Sequence, residues 1–135
     1  MGMAKVLRSG GHMFHEYNPF FSLTGGHSLC TLDFLWGHAR ISAEDFVRYI
    51  SEFREEESLV AKDFYQKSLN RMCLADLKEF VQDAGLEIVD IIPFISETDI
   101  RLLNKDILDE AKRYYPKLSV QDFISPKVWV LIRKQ

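Results

Sequence analysis

Four histidines and a cysteine in the first third of the chain are the residues whose types could hold a metal ion: His12, His15, His27, Cys30 and His38. The H-x-x-H and H-x-x-C spacings suit zinc, because a tetrahedral zinc ion takes imidazole and thiolate ligands. The segment from His12 to Tyr17, however, reads as a strand, and residues three apart in a strand face opposite sides of the sheet. His12 and His15 therefore cannot share one ion, and we expect no metal site.

Histidine is also the side chain best suited to transfer protons near neutral pH. Asn18, His27, His38 and Asn70 are candidates for a small-molecule pocket. Asn18 follows the first predicted strand, and ligands of open α/β sheets bind beyond the carboxyl ends of the strands. Local turn chemistry is the alternative for Asn18 before Pro19 and for Asn70 at a helix start. No nucleophile-elbow motif occurs, so covalent catalysis has no support.

Three segments are predicted strands. His12–Tyr17 stops before Pro19, and the β-branched run Leu86–Ile92 is followed by Pro93, which cannot donate to a ladder. The last strand, Val128–Arg133, is apolar on both faces of its central part, a pattern typical of a strand covered on both sides.

Helices are predicted before the second of these strands and between the second and the third. Ser42 precedes acidic residues and an apolar stripe, which predicts a helix start. A second helix or a continuation follows at 59–69, and another ends at Gly85. Asp99 or Thr98 is expected to cap a segment that runs to Tyr114, and 119–123 resembles one helical turn. The long aromatic loop 20–40 is of a kind that is usually functional or mobile.

Length predicts a single domain over residues 1–135, and the predicted strands and helices make its class α/β. The chain is 47% hydrophobic with a formal charge of −3, which supports a core and disfavours a nucleic-acid surface. No run of about 18 apolar residues and no signal-peptide pattern is present. Cys30 and Cys73 form no C-x-x-C pair and are expected to be free thiols. We therefore expect a cytoplasmic protein without a membrane or nucleic-acid partner.

Five motifs in succession carry a resemblance to a known family. They are V-L-R-S-G-G at 6–11, N-P-F-F-S-L-T-G-G-H at 18–27, L-N-R-M-C-L-A-D-L at 69–77, D-A-G-L-E-I-V at 83–89 and V-W-V-L-I-R-K at 128–134. In this order they resemble the C-terminal half of a class I (Rossmann-like) S-adenosylmethionine (SAM) dependent methyltransferase of the small-molecule type. The resemblance covers nearly the whole chain.

The resemblance implies a small mixed sheet covered by helices, in the strand order 5-7-6 of that fold, with the N-terminal half lacking. It also implies that Asn18, His27, His38 and Asn70 belong to the pocket for the methyl acceptor. The family holds SAM with a glycine-rich turn and a ribose-binding acid, and no G-x-G-x-G occurs in this sequence. Gly10-Gly11 and Gly25-Gly26 are not substitutes, so we expect no cofactor in this chain alone, and SAM is implied only for a complete family member.

Two functions remain open at this point. The first is the substrate-side half of a methyltransferase, inactive as an isolated chain, which takes a small-molecule acceptor. The second is a non-catalytic interaction module that uses an exposed sheet edge and the aromatic loop, whose apolar residues we expect to be exposed. Either function leaves the edge 12–17 free, so we expect a homodimer, or a second chain that supplies the missing half-sheet. The alternative is that the aromatic loop folds back over this edge and covers it.

Overall fold

The computed structural model describes residues 2–135 and contains one three-stranded sheet. Its strands are β1 (His12–Tyr17), β2 (Leu86–Phe94) and β3 (Lys127–Lys134), in the order β1-β3-β2. The α/β class is confirmed, and the last strand lies between the other two, as expected. The expectation of a mixed sheet is wrong, because β3 runs antiparallel to both of its neighbours.

Eight α-helices and two short 3₁₀ helices, Met3–Lys5 and Glu55–Glu57, occur in the described residues. None of the helices formed by residues 2–135 combines the length and apolar character needed to cross a membrane. The α-helices are α1 (His27–Cys30), α2 (Gly37–Arg40), α3 (Ala43–Phe53), α4 (Ser58–Lys67), α5 (Leu74–Asp83), α6 (Glu97–Leu102), α7 (Lys105–Lys112) and α8 (Val120–Ile124).

Helices α3, α6 and α7 each begin where a side chain accepts a hydrogen bond from an amide of the first turn. The Ser42 hydroxyl accepts a hydrogen bond from the Asp45 amide at 3.0 Å, which confirms the predicted start of α3. Ser96, rather than Asp99 or Thr98, caps α6. Asn104 then caps α7, so the segment expected to be one helix is two.

One other local expectation is corrected by the backbone. Strand β2 continues through Pro93 to Phe94, because β2 lies at the sheet edge, where a missing amide donor need not cost a ladder hydrogen bond.

Gly10 has φ of +73° and forms a bulge before β1. Its amide donates to the Lys134 carbonyl at 2.8 Å, while the Lys134 amide donates to the Gly11 carbonyl at 2.9 Å.

The larger of two apolar clusters is built from helices and from the loop after β1. Phe20, Phe21 and Trp36, which the sequence led us to expect on an exposed loop, are at most 2% exposed. The Trp36 indole donates to the Phe21 carbonyl at 3.0 Å, and the Phe20 and Phe21 rings meet edge to face. The loop is therefore part of the core, and its aromatic rings are not a docking patch.

The smaller cluster joins the sheet to α5. Leu77 and Val81 of the helix pack on Val130 and Ile132 of β3. On the opposite side of the sheet no helix of residues 2–135 packs in this way, and Phe14 and Ile92 there are exposed, so the expectation that helices cover both faces is wrong. We call this side the open sheet face; its apolar residues are Phe14, Ile92, Phe94, Trp129 and Leu131.

Candidate functional site

A cleft opens at the carboxyl end of β1 and has a volume of about 160 Å³. Ligand pockets for drug-sized molecules measure roughly 300–1,000 Å³, so this cleft suits a smaller molecule. We call it the β1-end cleft. Its lining residues are His15, Tyr17, Asn18, Phe20, Gly25, His27, Ser68, Leu69, Asn70 and Met72.

Three of the four site residues chosen from the sequence meet in this cleft. Asn18 leaves the end of β1, His27 begins α1, and Asn70 lies in the extended segment before α5. All three are exposed, and their side chains make no hydrogen bond within the described residues. Two carboxamides and an imidazole that are free of partners can donate to and accept from the polar atoms of a bound molecule.

The backbone at His27 is unusual. Its φ is +54°, in the left-handed region that β-carbon-bearing residues seldom adopt. The imidazole lies edge to face against Phe64, with ring centroids 5.6 Å apart. The same ring borders a second, wider hollow that shares Asn18 and Gly25 with the cleft. Strained backbone of this kind concentrates at functional sites, where the surrounding fold holds it in place.

Gly25 is needed where the loop turns back beside the cleft. A Cβ at this position would lie 2.0 Å from the Phe20 carbonyl oxygen and 2.4 Å from the Pro19 carbonyl oxygen. No side chain can replace hydrogen at that separation. Gly25 therefore permits the close backbone approach that brings His27 next to Asn18.

His15 and Tyr17 form one wall of the cleft, and the sequence did not single them out for it. Their rings stack at 6.0 Å with an interplanar angle of 18°. The Tyr17 hydroxyl is buried without a hydrogen-bond partner in the described residues. Burial, with help from Asp122 and Cys73, raises the pKa of this phenol far above its usual range, so it stays protonated. Residues i and i+2 of a strand lie on one face, and this spacing is the sequence signal that could have placed His15 and Tyr17 side by side.

His38, the fourth candidate, lies outside the cleft. It is fully buried, and its Nε2 donates to the Phe20 carbonyl at 2.8 Å, while Nδ1 has no partner among the described residues. Burial lowers the pKa of this imidazole to about 4. His38 is thus a neutral core residue that holds the loop after β1.

The described residues also bear on metal and cofactor binding. His12 lies opposite Arg133 and His15 opposite Val130, on the two faces of the sheet, as the sequence predicted. Within residues 2–135 no three His, Cys, Asp or Glu side chains converge as metal ligands do. The glycine pairs do not fit SAM either, since Gly10 and Gly11 form the bulge against Lys134 and Gly25 is pressed onto the Phe20 carbonyl.

Comparison with protein-family models, curated proteins and solved structures finds no significant match to this chain.

Proposed function

We propose that this chain is the acceptor-binding side of a class I methyltransferase-like protein and that the β1-end cleft holds a small polar methyl acceptor. The observation that carries the proposal is the convergence of Asn18, His27 and Asn70 in one cleft beyond the end of β1. Ligands of open α/β sheets bind beyond the carboxyl ends of the strands, which is where these three residues lie.

The cleft has the chemistry that an acceptor requires. Asn18 and Asn70 offer two NH₂ donor groups and two carbonyl oxygens for the hydroxyl or amine of a small molecule. His27 offers a nitrogen that can take the proton which such a group loses on methylation. Tyr17 and Met72 supply apolar walls, and a cleft of about 160 Å³ limits the acceptor to a small molecule.

The 135 residues are not expected to hold SAM, because neither glycine pair forms a cofactor turn. Isothermal titration of the chain with SAM and with S-adenosylhomocysteine measures this directly. We expect no binding at micromolar concentrations. Stoichiometric micromolar binding by this chain alone would overturn the assignment of the cofactor to another segment or chain.

The acceptor role is tested with the cofactor half supplied. The coding sequences beside this one are searched for a G-x-G-x-G segment, which is co-expressed with the chain. Radiolabelled methyl transfer from SAM into a small-molecule extract is then measured. We expect Asn18→Ala and His27→Ala to lower transfer at least about tenfold while SAM binding is retained, because truncating a substrate-positioning hydrogen bond costs about this much.

His12→Ala is the matched control, since His12 lies on the other face of the sheet and should leave transfer unchanged. If the Asn18 and His27 variants transfer methyl groups as well as the unaltered chain, the cleft is not the acceptor site.

A second candidate function rests on a different observation, the open sheet face. Phe14 is 60% exposed, and its ring lies 5.6 Å from that of Trp129, which in turn lies 4.6 Å from Phe94. Monomers seldom leave a contiguous aromatic row of this kind in water. The interaction module considered from the sequence would therefore use this face in place of the buried aromatic loop.

A further inference from the structure

A second cleft lies on the other side of the extended segment that precedes α5. Along this segment Asn70 and Met72 line the β1-end cleft, whereas Arg71 and Cys73 line the second cleft. The second cleft has a volume of about 180 Å³. We call it the Arg71 cleft.

The guanidinium of Arg71 is held in place without a counter-ion. Its Nη2 donates to the Tyr65 carbonyl at 2.7 Å, and Cζ lies 3.9 Å from the centroid of the Tyr65 ring. Its Nε is buried and has no acceptor among the described residues. No carboxylate of residues 2–135 forms a salt bridge with Arg71. The partners of Arg71 are a carbonyl and two aromatic rings, so its charge is free to pair with an anion from outside the chain.

The one acidic side chain that lines the Arg71 cleft is already engaged. Asp76 accepts from the Lys117 ammonium at 3.1 Å and from the Cys73 thiol at 3.1 Å. Lys117 also donates to Glu79 at 2.6 Å, so this one ammonium pairs with two carboxylates. Arg71 is thus the cation of this cleft that has no carboxylate in direct contact among the described residues.

Aromatic and apolar side chains form another part of the wall. Phe21 and Tyr115 meet edge to face with ring centroids 4.8 Å apart, and Tyr114 and Pro116 adjoin them. Burial, together with the nearby Tyr65, raises the pKa of the Tyr115 phenol, which therefore stays neutral and does not compensate the arginine. A ligand that contacts both these rings and Arg71 has an aromatic or unsaturated body and one negative charge.

We propose that the Arg71 cleft binds a small organic carboxylate with a flat, aromatic or unsaturated body, oriented with its carboxylate on Arg71. A planar guanidinium matches a carboxylate in shape and forms charge-assisted hydrogen bonds with it. The proposal is independent of the acceptor role of the β1-end cleft, since the two clefts use opposite sides of the same segment.

Benzoate and its neutral counterpart benzamide are the probes. They are titrated into the ¹⁵N-labelled chain, with amide chemical shifts as the readout. We expect benzoate to bind saturably, to shift amides of residues 71–76 and 114–118, and to bind at least about tenfold more tightly than benzamide. Equal binding of the two probes would overturn the proposal without the need for any variant.

Two variants and one further probe sharpen the test. Arg71→Gln should weaken benzoate at least about tenfold, while Arg71→Lys, which keeps the charge and a donor, should retain part of the affinity. Arg48→Gln, the same change at an exposed position on α3, should have no effect. If inorganic phosphate binds as tightly as benzoate, the site recognises charge alone, and the proposal that it selects an organic carboxylate is wrong.

Discussion

His38 is neutral at pH 7 because the folded chain surrounds it completely. Its pKa is lowered from 6.5 to about 4, chiefly by burial, and the hydrogen bond to the Phe20 carbonyl opposes this only in part. The unfolded chain therefore binds a proton at this residue below about pH 6.5, whereas the native chain does so only below about pH 4. Between these values the unfolded state binds more protons, so acidification favours unfolding.

We expect the free energy of unfolding to fall by up to about 3 kcal/mol between pH 6.5 and pH 4 because of His38 alone. Replacing His38 with Gln removes the titration and keeps an amide that can donate to the Phe20 carbonyl. Urea unfolding of the two proteins across this range measures the effect as the difference between their pH profiles. His12→Gln, the same change at an exposed histidine, is the matched control.

If His38→Gln shows the same pH dependence as the unaltered chain, His38 does not carry the acid sensitivity, and its native pKa lies close to 6.5.

The positions of single residues could be predicted from the sequence where these residues lie next to a proline or to glycines that mark a turn. Asn18 before Pro19 could be placed at the end of a strand from the sequence alone, and His27, after two glycines, in the loop that follows it. Their convergence with Asn70 depends on how the chain segments between them fold together, which no local pattern specifies. His38 has the same residue type as His27, but its burial depends on contacts with Phe20 that are distant in sequence.

Asp122 links two helices through its carboxylate. One oxygen accepts from the Leu74 amide at 2.7 Å, at the start of α5. The other accepts from the amide and hydroxyl of Ser119, both at 2.8 Å, at the start of α8. With a side chain only 2% exposed, this residue satisfies donors at the beginnings of two helices that are far apart in sequence.

Asp122→Asn should destabilise the chain by about 2 kcal/mol or more, because the new amide nitrogen faces donors that then lack an acceptor. Chemical unfolding monitored by circular dichroism gives the value. Asp106→Asn, the same change at an exposed position in the first turn of α7, should cost no more than about 0.5 kcal/mol. Equal costs for the two variants would show that the link between α5 and α8 contributes no stability.

Strands and most helices could be predicted because their periods of 2 and 3.6 residues are local. The bounds of β1 follow directly from the alternation and from Pro19. The break at Leu103 and Asn104 was missed because the apolar stripe continues across it, and only the capping of Ile107 by Asn104 reveals a new helix. An apolar pattern on both faces of β3 indicated cover on both sides, but the open sheet face instead buries its apolar atoms against neighbouring rings.

Strand β1 leaves one edge without a partner strand in the described residues. The Lys134 amide bonds to Gly11, so in the antiparallel register the amides of Met13, His15 and Tyr17 point toward β3. The amides of His12, Phe14 and Glu16 then point away from the sheet. Strand β1 contains neither lysine nor proline, two residues that commonly protect an edge.

We propose that two copies of the chain pair along β1 about a two-fold axis. Static light scattering over a concentration series should show a dimer. Phe14→Pro should give a folded monomer, because it removes an outward-pointing amide and no hydrogen bond to β3. Phe14→Ala keeps that amide and should stay dimeric if the edge, rather than the open sheet face, forms the contact.

A chain that remains monomeric at high concentration, with slow amide exchange along 12–17, would show that the edge is covered from within the chain. A monomer from Phe14→Ala would instead favour the interaction module that uses the open sheet face.

The fluorescence of the two tryptophans reports on two different parts of the molecule. Trp36 is 1% exposed inside the helical cluster, whereas Trp129 is half-buried on the open sheet face between Phe14 and Phe94. An indole in contact with water emits at longer wavelength and is quenched by acrylamide. An enclosed indole emits at shorter wavelength and is shielded from the quencher. Trp36 is therefore a native fluorescent reporter for the interior of the chain, and Trp129 is one for its surface. Loosening of the helical cluster should change the emission of Trp36, whereas a molecule bound to the open sheet face should change that of Trp129.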